Sequence, residues 1–125
     1  MKKTVLAFSR ITPPMIERLQ QEFDVIVPNP KTGDINAQFN EALPHAHGLI
    51  GVGRKLGQAQ LETATKLEVV SSVSVGYDNY DLDYFNQRGI MLTNTPDVLT
   101  ESTADLAFAL IMSSARRVAE LDAWT

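Results

Sequence analysis

Short apolar runs alternate with helix-like patterns along most of the chain. The runs are continuously apolar rather than alternating with polar residues, as in strands whose two faces are both covered. Strands are predicted at residues 4–8, 25–27, 48–52, 67–73 and 90–93. Apolar residues at helical spacing predict helices at residues 13–23, 35–43, 56–64 and 82–87. This order predicts an α/β fold with a parallel sheet of about five strands.

Parallel strands joined by right-handed crossovers give a doubly wound sheet, and this layout resembles that of flavodoxin. Ligands of such sheets lie beyond the carboxyl ends of the strands. Two glycine-containing segments fall at these ends: residues 51–54 after the third strand and residues 74–77 after the fourth. We therefore expect a binding site at this edge of the sheet.

The C-terminal segment has a different pattern. Residues 101–124 contain neither proline nor glycine, and Thr100 is a candidate N-cap for one continuous helix. Apolar residues occupy every side of this helix near its middle, and such a helix needs neighbours all round. The pattern predicts a long apolar helical arm that packs against another domain or subunit. Pro96 marks the boundary, and the predicted domains are residues 1–98 and residues 99–125.

Composition narrows the function classes without naming one. The 125 residues carry a net charge of −4 and contain no cysteine. No basic cluster is present that could hold a nucleic-acid backbone, and no apolar run is long enough to span a bilayer. The apolar run at residues 5–8 is also too short for a signal peptide. We expect a cytoplasmic protein with neither nucleic acid nor membrane as a partner.

The turn Ser74-Val75-Gly76 is the strongest chemical candidate. Consecutive backbone N–H groups at the end of a strand can form a nest that binds an anion without a charged side chain. The turn therefore predicts a site for a small carboxylate or phosphate. Arg54, which follows the neighbouring strand, is placed to meet an anion at the same edge of the sheet.

Two other groups of residues suggest sites that we do not predict. Gly51 and Gly53 resemble part of a dinucleotide-binding loop, but no acidic residue ends a following strand at the distance this loop requires. His45 and His47 lack further zinc ligands at suitable spacing, so a surface loop is the simpler interpretation.

Aspartates at positions 78, 81 and 83 could suggest carboxylate catalysis or metal binding. Aspartate is also a preferred residue at turns and helix N-termini, because its carboxylate accepts bonds from backbone N–H groups. We predict this capping role, and no metal site.

Four stretches of the sequence together resemble the D-isomer-specific 2-hydroxyacid dehydrogenases, and most of all their glyoxylate/hydroxypyruvate and 2-ketogluconate reductases. The resemblance covers the whole chain and is specific between residues 74 and 117. The stretches are Ser74-Val75-Gly76-Tyr77-Asp78, Arg88-Gly89-Ile90, Asn94-Thr95-Pro96-Asp97-Val98-Leu99-Thr100 and the helix from residue 104 to residue 117.

The resemblance implies that the chain is the N-terminal part of a substrate domain plus the first helix of an inserted dinucleotide-binding domain. It implies that the amides of Val75 and Gly76 bind the substrate carboxylate, that Arg54 faces the substrate, and that Thr100 lies near the nicotinamide. The helix over residues 101–124 resembles the arm that pairs two subunits into a homodimer.

The implied reaction is reduction of a 2-keto acid, such as hydroxypyruvate, glyoxylate or 2-ketogluconate, to a D-2-hydroxy acid with NADPH or NADH. The family's glycine-rich loop and its catalytic arginine, glutamate and histidine have no counterpart in these residues. No catalytic residue is therefore assigned, and the 125-residue piece alone is expected to be inactive and a poor binder of NAD or NADP. The choice of keto acid and of NAD or NADP stays open.

Two alternatives without catalysis stay open as well. The chain could be a flavodoxin-like module that binds a small acid or forms dimers, or a helix-swapped dimer with no ligand. A finished module should end in a capped helix or a polar tail, whereas residues 121–125 contain no stop signal. We therefore expect the natural chain to continue.

Overall fold

The computed structural model describes residues 1–124 and has the predicted α/β architecture. The strands are β1 Thr4–Ala7, β2 Asp24–Ile26, β3 Gly48–Gly51, β4 Val69–Ser72 and β5 Met91–Thr93. The helices are α1 Pro13–Glu22, α2 Ile35–Ala42, α3 Gln58–Leu61, α4 Leu82–Arg88, α5 Thr100–Ala115 and α6 Val118–Asp122. All strand pairs are parallel, in the order β2-β1-β3-β4-β5, which is the order found in flavodoxin. Contacts divide the chain into two compact units, Met1–Thr95 with the sheet and a second that begins at Pro96.

The two faces of the sheet are covered to different extents. Leu6, Leu49 and Val70 on one face are at most 1% exposed and form the hydrophobic core with residues of α2, α3 and α4. On the opposite face, where α1 lies, exposure rises from 9% at Val5 to 63% at Met91 on the edge strand β5. Residues of the first unit therefore complete one layer of the core and only part of the other.

Capping residues fix the ends of two crossover helices. The Asp34 carboxylate accepts the Ala37 N–H at the start of α2, at 2.9 Å, and the Asp81 carboxylate accepts the Tyr84 N–H at the start of α4, at 3.1 Å. Gly89 ends α4 in the left-handed conformation, with φ at 66°. The predicted capping role is thus confirmed for Asp81.

The helix predicted at residues 56–64 is shorter in the structure, where α3 covers only Gln58–Leu61. Tighter turns follow, with the Ala64 N–H bonded to the Leu61 carbonyl at 3.0 Å. Thr63 lowers the helix propensity at the end of this stretch, because its branched side chain loses freedom against the preceding turn. Arg88 then donates to the Ala64 carbonyl at 2.9 Å and holds the turn against α4.

Side-chain hydrogen bonds join different segments at the amino-terminal edge of the sheet. One of them shows that His47 is not simply a residue of a surface loop. This side chain is half-buried and its Nδ1 accepts the Thr4 N–H at 3.1 Å, which satisfies the first amide of β1. Lys3 Nζ lies 2.6 Å from Glu68 Oε2, and this hydrogen bond lowers the pKa of Glu68 below its usual value. His45 is exposed at the end of a short 3-10 turn between α2 and β3, which is consistent with the surface-loop interpretation.

The second unit contains helices, but not the single helix predicted over residues 101–124. Helix α5 ends at Ala115, Arg117 adopts a left-handed conformation with φ at 54°, and α6 begins one residue later. The Arg117 guanidinium pairs with Glu120 in the first turn of α6. No residue of α5 is buried, and large apolar side chains such as Phe108 stay exposed.

The start of α5 also differs from the prediction. Leu99 is the N-cap, without a side-chain cap, and Thr100 is the first helical residue. Asp97 has a φ of 63°, and its carbonyl accepts the Thr100 N–H at 3.4 Å, so a backbone turn starts the helix. No helix within residues 1–124 combines the length and the apolar character needed to cross a membrane.

Candidate functional site

The turn at residues 74–77 lies directly beyond the carboxyl end of β4 and presents free backbone donors. Val75 and Gly76 are both exposed. Within residues 1–124, neither the Val75 N–H nor the Gly76 N–H has a hydrogen-bond acceptor. Two adjacent amides without partners can bind the two oxygens of a carboxylate, as the sequence predicts.

The opposite side of this turn is held firmly. The Thr95 N–H donates to the Ser74 carbonyl, and the Asn94 side chain donates through Nδ2 to the Val75 carbonyl, both at 2.9 Å. The segment that follows β5 therefore anchors the carbonyls of the turn while its amides stay free. In the sequence, Asn94 belongs to the stretch that resembles the family, and nothing in that pattern predicts this bond.

No packing or backbone requirement within its own unit explains why position 76 is a glycine. A Cβ added there would have no heavy atom within 4 Å, and the backbone is not in the left-handed range that favours glycine. A requirement for glycine at this position would thus come from a group outside the described residues, such as a ligand that approaches the backbone. The turn is open to solvent, so any burial of the ligand also needs further groups.

Arg54 lies on the neighbouring loop, after β3, but its side chain is already engaged. The guanidinium carbon lies 4.0 Å from the centre of the Phe39 ring, and Nη2 donates to Asn36 Oδ1 at 2.8 Å. Asn79 links this loop to the one after β4 by donating to the Arg54 carbonyl at 2.7 Å. Arg54 is thus fixed against α2 by cation–π contact and hydrogen bond, and its remaining N–H groups have no partner within the described chain.

Phe8 fills the point where ligands of flavodoxin-like sheets usually bind, between β1 and β3. Its ring packs edge-on against Phe39, with 5.5 Å between the ring centres. A Cβ on Gly51 would lie only 2.7 Å from the Phe8 ring, so glycine at this strand end makes room for the aromatic side chain. The pair of free amides that the sequence predicts as a nest lies after β4, while Phe8 occupies the crevice between β1 and β3.

The predicted cofactor contact, Thr100, lies in the second unit, at the first turn of α5. Its role near a nicotinamide stays a prediction. Substrate binding by Val75, Gly76 and Arg54 also stays a prediction. Val75 and Gly76 lie in one turn after β4, and Arg54 lies in the loop after β3.

The sequence model of a protein family, the D-isomer specific 2-hydroxyacid dehydrogenase catalytic domain, matches residues 5–121. The chain belongs to this family. The glyoxylate/hydroxypyruvate reductase B of Yersinia enterocolitica is 47% identical over 121 residues, which are 97% of the chain and 37% of that protein. The Serratia proteamaculans protein of the same name is 40% identical over the same shares of both chains.

Solved structures of the family have the same fold. The TT0316 protein of Thermus thermophilus matches with a TM-score of 0.78 and 35% identity, over 97% of the chain and 39% of that protein. An NADPH-dependent glyoxylate/hydroxypyruvate reductase of Sinorhizobium meliloti, solved in complex with NADP and malonate, matches with a TM-score of 0.69 and 29% identity, over 90% of the chain and 34% of that protein. The chain thus spans little more than a third of the length of these relatives.

Proposed function

We propose that this chain is the substrate-binding part of a reductase that converts a 2-keto acid to a D-2-hydroxy acid with NADPH or NADH. Family membership and the names of the relatives support the reaction class. The observation that carries the proposal is the pair of free amides at Val75 and Gly76, at the carboxyl edge of the sheet. We favour hydroxypyruvate and glyoxylate as substrates, with 2-ketogluconate as a longer candidate.

The role we assign to the Val75 and Gly76 amides is to bind and orient the substrate carboxylate. Every 2-keto acid has this group, and a bond between an N–H and a charged carboxylate contributes on the order of 1.5–3 kcal/mol. Two such bonds fix the direction of the adjacent keto carbon, which is the positioning part of catalysis. The nicotinamide, when bound, supplies the hydride.

Arg54 is the candidate for reading the far end of a longer substrate. Its position is fixed by Phe39 and Asn36, while the other N–H groups of the guanidinium stay available. Such a donor can bind hydroxyls of a polyol acid that glyoxylate lacks. We therefore assign Arg54 to substrate selection and not to the chemical step.

The cofactor is not expected to bind to this chain alone. Residues 1–125 contain no G-x-G-x-x-G loop, and Thr100, the one candidate neighbour of the nicotinamide, cannot hold a dinucleotide by itself. The remaining parts of the site belong, in this proposal, to a longer polypeptide. The partly exposed sheet face that includes Met91 is a surface for such parts to cover.

The second unit is the candidate dimerisation arm. Leu106, Phe108, Leu110 and Ile111 are each at least 59% exposed on α5, and apolar patches of this kind on soluble proteins mark interaction surfaces. We propose that two copies pair through α5 and the segment after it, in a cytoplasmic homodimer. Chemical cross-linking or light scattering of the purified protein tests the dimer.

The test of the function is an assay of the protein expressed from the complete reading frame that contains this chain. NADPH and NADH oxidation are followed with hydroxypyruvate, glyoxylate and 2-ketogluconate. We expect turnover with at least one pair, and none from the 125-residue piece alone, which lacks a proton donor and most of the cofactor site. Absence of turnover by the full protein with every pair would contradict the proposal and favour a non-catalytic acid-binding module.

A further inference from the structure

Two carbonyls of the turn at residues 74–77 are bonded to the two residues that follow β5. The Ser74 carbonyl accepts the Thr95 N–H, and the Val75 carbonyl accepts Asn94 Nδ2–H, each at 2.9 Å. The first bond involves only backbone and does not depend on the side chain at position 95. The second depends entirely on the carboxamide of Asn94.

A bond to one side of a peptide group also fixes its other side. The peptide unit is planar and trans, so its C=O and N–H point in opposite directions. The Ser74 carbonyl shares a peptide unit with the Val75 N–H, and the Val75 carbonyl shares one with the Gly76 N–H. Holding the two carbonyls on the Asn94 side therefore directs the two amides away from it, where no acceptor of the described chain meets them.

We propose that Asn94 is a positioning residue that aims the Gly76 amide at the substrate carboxylate. This inference rests on the proposed function, because it needs an anion on the Val75 and Gly76 amides. Glycine at position 76 leaves the peptide unit free to rotate, since no side chain packs there. The bond from Asn94 removes that freedom and fixes the direction of the donor before substrate arrives.

The chain offers a matched control for loss of such a bond. Gln38 Nε2 donates to the Asn29 carbonyl at 3.0 Å, so it too is a side-chain amide bonded to a backbone carbonyl. This bond joins the segment after β2 to helix α2, and neither residue belongs to the proposed site. Asn94→Leu removes one such bond and keeps the number of side-chain heavy atoms. Gln38→Leu removes the corresponding bond and also the one in which Gln38 Oε1 accepts the Asn29 N–H at 2.8 Å, so the control loses more hydrogen bonds than the test variant.

The experiment compares both variants with the wild-type full-length protein. For Asn94→Leu we expect KM for hydroxypyruvate to rise about tenfold to a hundredfold, since a bond to a charged group depends steeply on geometry. The affinity for NADPH should stay within about twofold of wild type. The melting temperature should stay within a few degrees of wild type. Gln38→Leu should leave KM unchanged. Equal KM values for the two variants would overturn the inference.

Malonate provides a second readout that separates positioning from direct contact with substrate. In protein labelled with 15N-glycine, the Gly76 amide proton should move downfield when malonate saturates the wild type, as expected when it donates to a carboxylate. In Asn94→Leu the shift at saturation should be smaller. A full-sized shift reached only at higher malonate concentration would show a direct contact by Asn94 and contradict positioning.

Two further outcomes stay decisive. If Asn94→Leu does not fold, Asn94→Ala at this partly exposed turn replaces it in both measurements. If the wild type reduces none of the keto acids, the proposed function fails, and the malonate titration alone decides the inference: no movement of the Gly76 amide with malonate would overturn it.

Discussion

The loops after β3 and β4 leave neighbouring strands at the same edge of the sheet, yet their polar groups are used differently. In the loop after β3, the Arg54 side chain is stacked on Phe39 and bonded to Asn36, and Gly51 accommodates the Phe8 ring. Each of these features has a partner inside the chain. They are therefore explained by packing, and a ligand is not required to account for them.

In the loop after β4, the amides of Val75 and Gly76 have no partner in the described chain, and glycine at position 76 answers no packing need. The same loop is nevertheless held from behind by Asn94 and Thr95. Fixed donors without acceptors are typical of a binding site, whereas donors with internal partners are typical of a scaffold. On this comparison we propose that the β4 loop binds the substrate carboxylate, with the β3 loop in a supporting role through Arg54.

The largest effect expected on stability is in the β3 loop. Gly51→Ala places a methyl group about 2.7 Å from the Phe8 ring, at a backbone φ of 157°, so the ring and the strand end must move. We expect a loss of about 1–3 kcal/mol in the free energy of unfolding, as for overpacking of other tight sites. Urea unfolding measures it. A variant as stable as wild type would contradict the packing explanation for this glycine.

The corresponding change in the β4 loop should separate function from stability. Gly76→Ala meets no atom of the described chain, so the free energy of unfolding should change by no more than about 0.5 kcal/mol. The new methyl group should instead hinder approach of the carboxylate and raise KM for hydroxypyruvate about tenfold, or about 1.4 kcal/mol. Steady-state kinetics and urea unfolding of the same preparation test both parts. Unchanged KM would remove the evidence for a ligand at this turn.

The smallest effect is expected for Arg54. Arg54→Met keeps the contact with Phe39 but removes the cation and its bond to Asn36, so we expect a loss of about 0.5–1 kcal/mol in stability. KM for 2-ketogluconate should rise several-fold relative to KM for glyoxylate, because glyoxylate has no polyol hydroxyls for the guanidinium to bind. An equal change for both substrates would leave Arg54 as a purely structural residue.

The sequence predicts the sheet and the Asp81 cap correctly, though not the cap at Thr100, because these features depend on local patterns. Continuous apolar runs mark all five strands, and Asp34, Asp81 and Gly89 occupy positions where their backbone preferences apply directly. The nest is predicted for the same reason, since a glycine turn after a strand is a local feature.

Two kinds of feature cannot be predicted from the sequence pattern. Arg117 and Asp97 lie in the left-handed region of backbone conformation. Neither position is occupied by glycine or asparagine, the residues that usually indicate this conformation in a sequence. The Arg54 stack and the Asn94 bond join segments far apart in the chain, which only the folded topology brings together. An asparagine after an edge strand gives no local sign of which carbonyl it will bind.

The most direct test of the central claim is a crystal structure of the full-length protein with malonate or a keto-acid substrate. The account predicts a carboxylate with oxygens about 2.7–3.1 Å from the nitrogens of Val75 and Gly76, with the bond from Asn94 to the Val75 carbonyl intact. A substrate carboxylate bound elsewhere, with both amides still facing solvent, would contradict it.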